Sequence, residues 1–140
     1  MRLEIDKDLD RERKAIRTFV NMFDGSFKKL GVNDIDYRVY DKDEKIISFV
    51  EVIYRHRNMN EAFPLPVSAR KIVKLSDKRL NPVMIWACDD GIIYGRITQL
   101  SGSIKWCSIK ERTNNYNDQE LMVDYEQSNP FKLIRYQEDF

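Results

Sequence analysis

Apolar residues between Asp8 and about Leu30 (Leu9, Ile16, Phe19, Val20, Phe23, Phe27, Leu30) recur mainly at intervals of three, four and seven. That is the spacing of a helix with one buried face. Gly31 ends the pattern, and Asp24-Gly25-Ser26 predicts a break into a long helix and a short one. Glycine costs helix stability, and serine and aspartate compete for backbone hydrogen bonds. From Asp34 to Tyr40 the period changes to two, with Ile35, Tyr37 and Val39 on one face and Asp34, Asp36, Arg38 and Tyr40 on the other. After a turn at Asp41-Lys42-Asp43-Glu44, residues 45–55 are rich in β-branched and aromatic side chains and predict the second strand of a hairpin. Glu51, Ile53 and Arg55 point the same way on it.

The stretch from Asn58 to Pro66 holds two prolines and reads as a loop. Ser68 is a plausible N-cap for a helix whose apolar side is Ile72, Val73, Leu75 and Leu80, and whose basic side is Lys71, Lys74 and Lys78. Pro82 forbids its continuation. Val83–Cys88 and Ile92–Ile97 are strand-like runs joined through Asp89-Asp90-Gly91, a hairpin signal. Ile104–Ile109 and Leu121–Tyr125 predict two more strands around a polar loop, and Phe131–Tyr136 a short terminal element. The order is that of an α+β protein, a mixed sheet with helices packed against it.

A chain of 140 residues is the size of one domain. Its 42% hydrophobic content excludes a disordered or collagen-like class. Apolar runs such as Pro82–Cys88 are too short to cross a bilayer, and the polar start Met1-Arg2-Leu3-Glu4 has no apolar signal core. A cytoplasmic protein is expected. Cys88 and Cys107 have no second Cys or His near them, so they read as buried thiols rather than zinc ligands or a disulfide framework. Net charge is +1, yet residues 52–80 carry 7 basic and 2 acidic side chains while both flanks are slightly acidic. That distribution fits contact with a polyanion at one place.

Glycine-rich phosphate loops, His-Glu-x-x-His, Cys-x-x-Cys and Gly-x-Ser-x-Gly are all absent. What stands out is Glu51, a carboxylate between Phe49, Val50, Val52 and Ile53, which is costly to bury without a partner or a metal. Asp36 precedes it across the hairpin, and two carboxylates on adjacent strands offer the hard oxygen ligands that suit Mg²⁺. Read as structural residues, Asp36 is a solvated acid balancing Arg38, and Glu51 pairs with Arg55 or a helix lysine.

The stretches Asp36-Tyr-Arg-Val-Tyr-Asp, Phe49-Val-Glu-Val-Ile-Tyr-Arg55 and Ser68-Ala-Arg-Lys71, followed by the Asp90-Gly91 hairpin, resemble the PD-(D/E)XK nuclease superfamily. The likeness is to its small bacteriophage-encoded members and spans roughly residues 8–97, leaving 98–140 as a C-terminal extension. It implies a restriction-endonuclease-like core: a helix, a hairpin bearing Asp and then Glu-x-Lys, a second helix, and phosphodiester cleavage with Mg²⁺, for which Mn²⁺ substitutes. By that resemblance Asp36 and Glu51 are the metal-binding carboxylates and the Val52 carbonyl a further ligand. Glu12 matches a first-helix glutamate, with Asp8 as its competitor. Lys71 occupies the place of a basic side chain that the second helix lends to the site.

One departure concerns the chemistry directly. Where the family has lysine, two residues after the glutamate, this chain has Ile53. Lys71 or Lys74 are the substitutes reaching in from the helix, and Arg55 is another, although its permanently charged guanidinium orients rather than acts as a base. Arg55, Arg57, Arg70 and Lys74 are the expected contacts to DNA phosphates, with His56 beside them as a solvated loop residue. Trp86 and Trp106 are expected in the core. The resulting expectation is a Mg²⁺-dependent deoxyribonuclease, acting alone or as a homodimer. Its rivals are a catalytically inactive member of the fold that binds nucleic acid or a protein partner, and a structural or host-interaction protein that binds no nucleic acid.

Overall fold

In a computed structural model of the chain, the residues described are 2–31, 36–77, 81–108 and 119–137, without the side chains of 2–8 and of Ser108. Expectations that rest on Asp8, Asp34, Ile35, Lys78, Leu80 and Ile109 fall outside that description. The first helix, α1 (Arg2–Asn21), buries Ala15, Ile16, Phe19 and Val20, the stripe its spacing predicts. The second helical segment does not form. Asp24 takes the left-handed conformation at φ 55°, the Gly25 amide closes on the Val20 carbonyl at 2.9 Å, and the chain leaves the helix axis. Ser26–Lys29 then forms strand β1, paired antiparallel with β2 (Tyr37–Tyr40). Phe27 meets the Tyr37 ring edge-on, with centroids 5.5 Å apart.

The turn after β2 is held by Asp41, whose Oδ1 accepts from the amides of Asp43 and Lys45. It leads into β3 (Ile46–Tyr54). The predicted 58–66 loop proves partly regular: a 3-10 turn at Met59–Glu61 is followed by β4 (Leu65–Ser68). Ser68 caps α2 (Ala69–Ser76) by accepting the Lys71 amide. The hairpin of β5 (Val83–Ala87) and β6 (Gly91–Arg96) forms as expected. After it come β7 (Ser103–Ser108), β8 (Gln119–Tyr125) and β9 (Lys132–Arg135).

These strands make a mixed α+β architecture with two sheets, one ordered β1-β2-β3-β5-β6-β9 and a smaller one ordered β4-β8-β7. All pairings are antiparallel except β3 with β5, because the chain crosses over through β4 and α2 between them. Alternation along β3 divides the interior. Val50 and Val52 face α1, while Phe49 and Ile53 face α2 and the small sheet. β5 is apolar at every position and buried on both faces, the expected character of a strand with a parallel neighbour. Trp86 at its centre is fully buried and donates its indole N–H to the Pro66 carbonyl.

Trp106 departs from its expected core position: on β7, at the edge of the small sheet, it is 65% exposed. There it has no second layer to pack against among the described residues. Both thiols are free, Cys88 buried and Cys107 half-buried. Gly91 has a fold-level reason, since a Cβ there would collide with the Ile134 carbonyl and block β9 from docking on β6. No helix among the described residues is long and apolar enough to cross a membrane.

Candidate functional site

The last described pair between β2 and β3 is Tyr37 with Val50. Beyond it the two backbones carry different chemistry. Asp36, immediately before β2, accepts the Val52 amide on Oδ2 at 2.9 Å, and the Asp36 amide donates to Glu51 Oε2 at 3.3 Å. The two carboxylates are thus tied reciprocally to each other's strands. An antiparallel strand directs the N–H and C=O of one residue to the same neighbour. The Val52 carbonyl therefore turns to the side where Asp36 lies.

Glu51 shares the α2-facing side of β3 with Phe49 and Ile53. Lys71, in the first turn of α2, reaches its Oε1 at 3.7 Å. Burial and the nearby Asp36 carboxylate push the Glu51 carboxyl up to about 7, against the opposing pull of Lys71, the Asp36 amide and Lys74. Burial also raises Asp36, opposed by the Val52 amide and seconded by the Glu12 charge. Near neutrality the pair is therefore short of positive charge.

Glu12 approaches from the opposite face of the sheet. One of its oxygens takes a 2.7 Å ion pair from Lys29 and the other the Tyr54 hydroxyl at 3.3 Å. The buried Tyr37 phenol is held protonated, first by desolvation and then by the Glu12 carboxylate, although no hydrogen bond of regular geometry joins them. Lys29, Tyr37 and Tyr54 belong to this surrounding and were not among the residues the motifs single out. Lys29 was concealed by the helical reading of β1, and Tyr54 by its place on the face of β3 opposite Glu51.

The expected phosphate contacts do not converge. Arg55 turns back to the loop before β4, donating from Nε to the Ala62 carbonyl at 3.0 Å and from a terminal nitrogen to Pro64 at 3.4 Å. It clamps that loop and does not serve Glu51. Arg70 is exposed and paired with Glu120 on β8 at 3.6 Å, and Arg57 is exposed. His56 accepts on Nδ1 from Arg11 on α1 at 2.9 Å and stacks on Tyr54. Lys74 lies close enough for its charge to act on Glu51. Arg38 does not balance Asp36: it lies over the Phe49 ring and donates to the Tyr40 hydroxyl at 3.4 Å.

The donor chemistry can be tested against a metal. Among the described residues no three His, Cys, Asp or Glu side chains gather in the manner of a preformed cage. Two carboxylates and a main-chain carbonyl are all hard oxygens, and Mg²⁺ commonly takes one or two carboxylates and keeps its remaining waters. The set fits Mg²⁺ and does not fit a soft ion that needs thiolate or imidazole. No family model, curated protein or solved structure matches the chain.

Proposed function

We propose that the chain is a Mg²⁺-dependent phosphodiesterase acting on DNA, built on a restriction-endonuclease-like core of PD-(D/E)XK type. The observation that carries the reading is Lys71. The strand position where the family pattern calls for lysine holds Ile53, which packs into the core on the α2 side. Lys71 reaches the same carboxylate from the neighbouring helix. The order of elements supports the reading too: α1, then after β1 a hairpin with Asp36 just before β2 and Glu51 on β3, then β4 and α2.

Asp36, Glu51 and the Val52 carbonyl would hold the ion, which when bound polarises a phosphate and acidifies water. Glu51 must give up its proton to become a ligand, so the chain's own contribution begins with that loss near pH 7. Lys71, 44% exposed, stands between Glu51 and solvent and neutralises negative charge growing on the phosphate oxygens. Lys74, a turn further along α2, adds positive potential without a rigid contact. Glu12 stays in its pair with Lys29 and Tyr54 and fixes α1 against the sheet.

A second reading, a fold of this kind that binds nucleic acid without cutting it, is favoured by one observation: Lys71, the lysine that reaches Glu51, is already engaged with it. One experiment decides between them. Supercoiled and single-stranded DNA are incubated with the parent and with Asp36→Ala, Glu51→Ala and Lys71→Ala in Mg²⁺, alongside calorimetric titration of Mg²⁺ and Mn²⁺. Cleavage by the parent that is lost with metal binding in Asp36→Ala is the expected result. A parent that binds DNA but never cuts it sustains the second reading, and cleavage that survives Asp36→Ala and Glu51→Ala overturns the first.

A further inference from the structure

A separate feature lies on the far side of α1. Asp10, Arg13, Lys14, Arg17, Thr18 and Asn21 follow one another at helical spacing along a single flank of that helix, and Met22 comes just after its end. Together with Ile134, Arg135, Tyr136 and Gln137, from β9 and the residues after it, they line a groove of about 610 Å³. Four cations, Arg13, Lys14, Arg17 and Arg135, face one carboxylate, Asp10. Lys14 sits over the Tyr136 ring, 4.4 Å from its centroid, and Arg135 makes a long 3.6 Å pair with Asp90. Among the described residues Arg13 and Arg17 have no ion-pair partner, and both are exposed. Positive charge is thereby concentrated in a concave strip rather than neutralised across the helix surface.

The groove is distinct from the carboxylate centre. In the order β2-β3-β5-β6-β9 it borders the outermost strand. At about 4.8 Å per strand, β9 lies roughly 14 Å across the sheet from β3. Small-molecule sites are mostly apolar and enclosed. This one is polar, elongated along a helix and dominated by arginine forks, which match phosphate oxygens bidentately. Amide and hydroxyl side chains (Asn21, Gln137, Thr18) add sequence-neutral hydrogen bonding, and the half-buried Tyr136 ring adds an aromatic surface of the kind on which any unpaired base stacks.

We infer that the groove between α1 and β9 is a binding site for the phosphate backbone of single-stranded nucleic acid. The contact is independent of the sequence bound and of whether the chain hydrolyses anything. Its charge dependence gives it a signature, because each phosphate neutralised releases counterions and steepens the dependence of affinity on salt.

The test is anisotropy of a fluorescent dT20 oligonucleotide, titrated with the intact chain in EDTA so that metal-dependent cleavage plays no part, over a series of salt concentrations. An Arg13→Gln/Arg17→Gln variant is expected to bind about 10-fold or more weakly at low salt, with a salt slope shallower by about 1.4, at roughly 0.7 per contact on a single strand. Lys42→Gln/Lys45→Gln, in the β2–β3 turn, removes the same charge elsewhere and is expected to change affinity less than 2-fold. Thermal melts verify that both variants fold. Equal losses in the two variants would reduce the effect to net charge and overturn the inference, as would an unchanged slope in the arginine variant. Two further arms use magnesium-free ATP as competitor and vesicles containing phosphatidylserine. Stoichiometric displacement by ATP, or vesicle binding that needs the same arginines while dT20 binding does not, would also overturn it. Because no arm reads cleavage, an inactive carboxylate centre leaves the result intact.

Discussion

The molecule contains the same pair of residues twice, once on each face of its main sheet. Glu12 and Glu51 have side chains 12% and 10% exposed, and their partners Lys29 and Lys71 are 45% and 44% exposed. The outcomes differ. Each acid has both oxygens engaged, Glu12 by Tyr54 and Glu51 by the Asp36 amide on one of them, but Lys29 closes on the other Glu12 oxygen at 2.7 Å. Lys71 stands 3.7 Å from Glu51, and a second carboxylate, Asp36, sits beside it and raises its proton affinity. Burial alone therefore does not make a buried acid reactive. The completeness of its neutralisation does, and the Glu51 side is the incomplete one.

The most forceful way to break this contrast is to remove each acid in turn. Glu51→Ala and Asp36→Ala are expected to weaken Mg²⁺ binding by about 100-fold or more and to abolish cleavage, whereas Glu12→Gln leaves Mg²⁺ affinity within a few-fold. Calorimetry on the three proteins checks it, and equal losses would erase the distinction between the faces. Lys71→Ala is expected to slow cleavage by roughly 10²–10³-fold while Mg²⁺ still binds, because in the proposed mechanism the lysine acts on the substrate's charge and not on the ion. Lys29→Ala should leave the rate nearly untouched.

Titration sharpens the contrast further. Glu51 is half protonated at about pH 7, so Mg²⁺ affinity should fall by about 10-fold per pH unit below that point and level off above it. Calorimetry in buffers of different ionisation enthalpy should count up to one proton released per ion at pH 6. Stability follows the same group. Its folded pKa lies above the unfolded value, so the stability it contributes is fully present below about pH 4.5 and is lost as pH rises through about 7. Glu51→Gln should accordingly stabilise the metal-free chain by about 1–3 kcal/mol at pH 8 and by little at pH 4. Glu12→Ala should destabilise it by about 1–3 kcal/mol, because the carboxylate that ties α1 to Lys29 and Tyr54 is lost. Urea melts at both pH values measure the opposite signs.

Much of this arrangement was legible beforehand, and the failures have identifiable causes. Period-two alternation put Glu51 with Ile53 and opposite Val52, and the Ser68 cap set Lys71 in the first turn of a helix, while its place at the site was implied by the resemblance alone. Phe23, Phe27 and Leu30 kept helical intervals although the chain between them is a strand, since a left-handed Asp24 outweighs spacing. Lys29 went unseen for that reason. The basic segment was visible in composition, but composition says nothing about direction: Arg55 turns to two carbonyls and Arg70 to Glu120. Trp106 misled because side-chain type carries no information about whether a strand is central or at an edge. The groove along α1 needed β9 in place, and no local pattern announces that a strand near residue 132 will lie beside one near residue 94.

That last pairing imposes a timetable on synthesis. β6 leaves the ribosome at Arg96, yet its outer neighbour β9 is complete only at Arg135, with β7 and β8 made in between. At ordinary elongation rates the gap lasts about 2–8 s. Throughout it the nascent chain carries a finished hairpin with one row of amides and carbonyls unclaimed, next to the buried Ile92 and Ile93. A chain arrested before Lys132 would keep that edge open indefinitely, and self-association of such fragments is the hazard that the final strand removes.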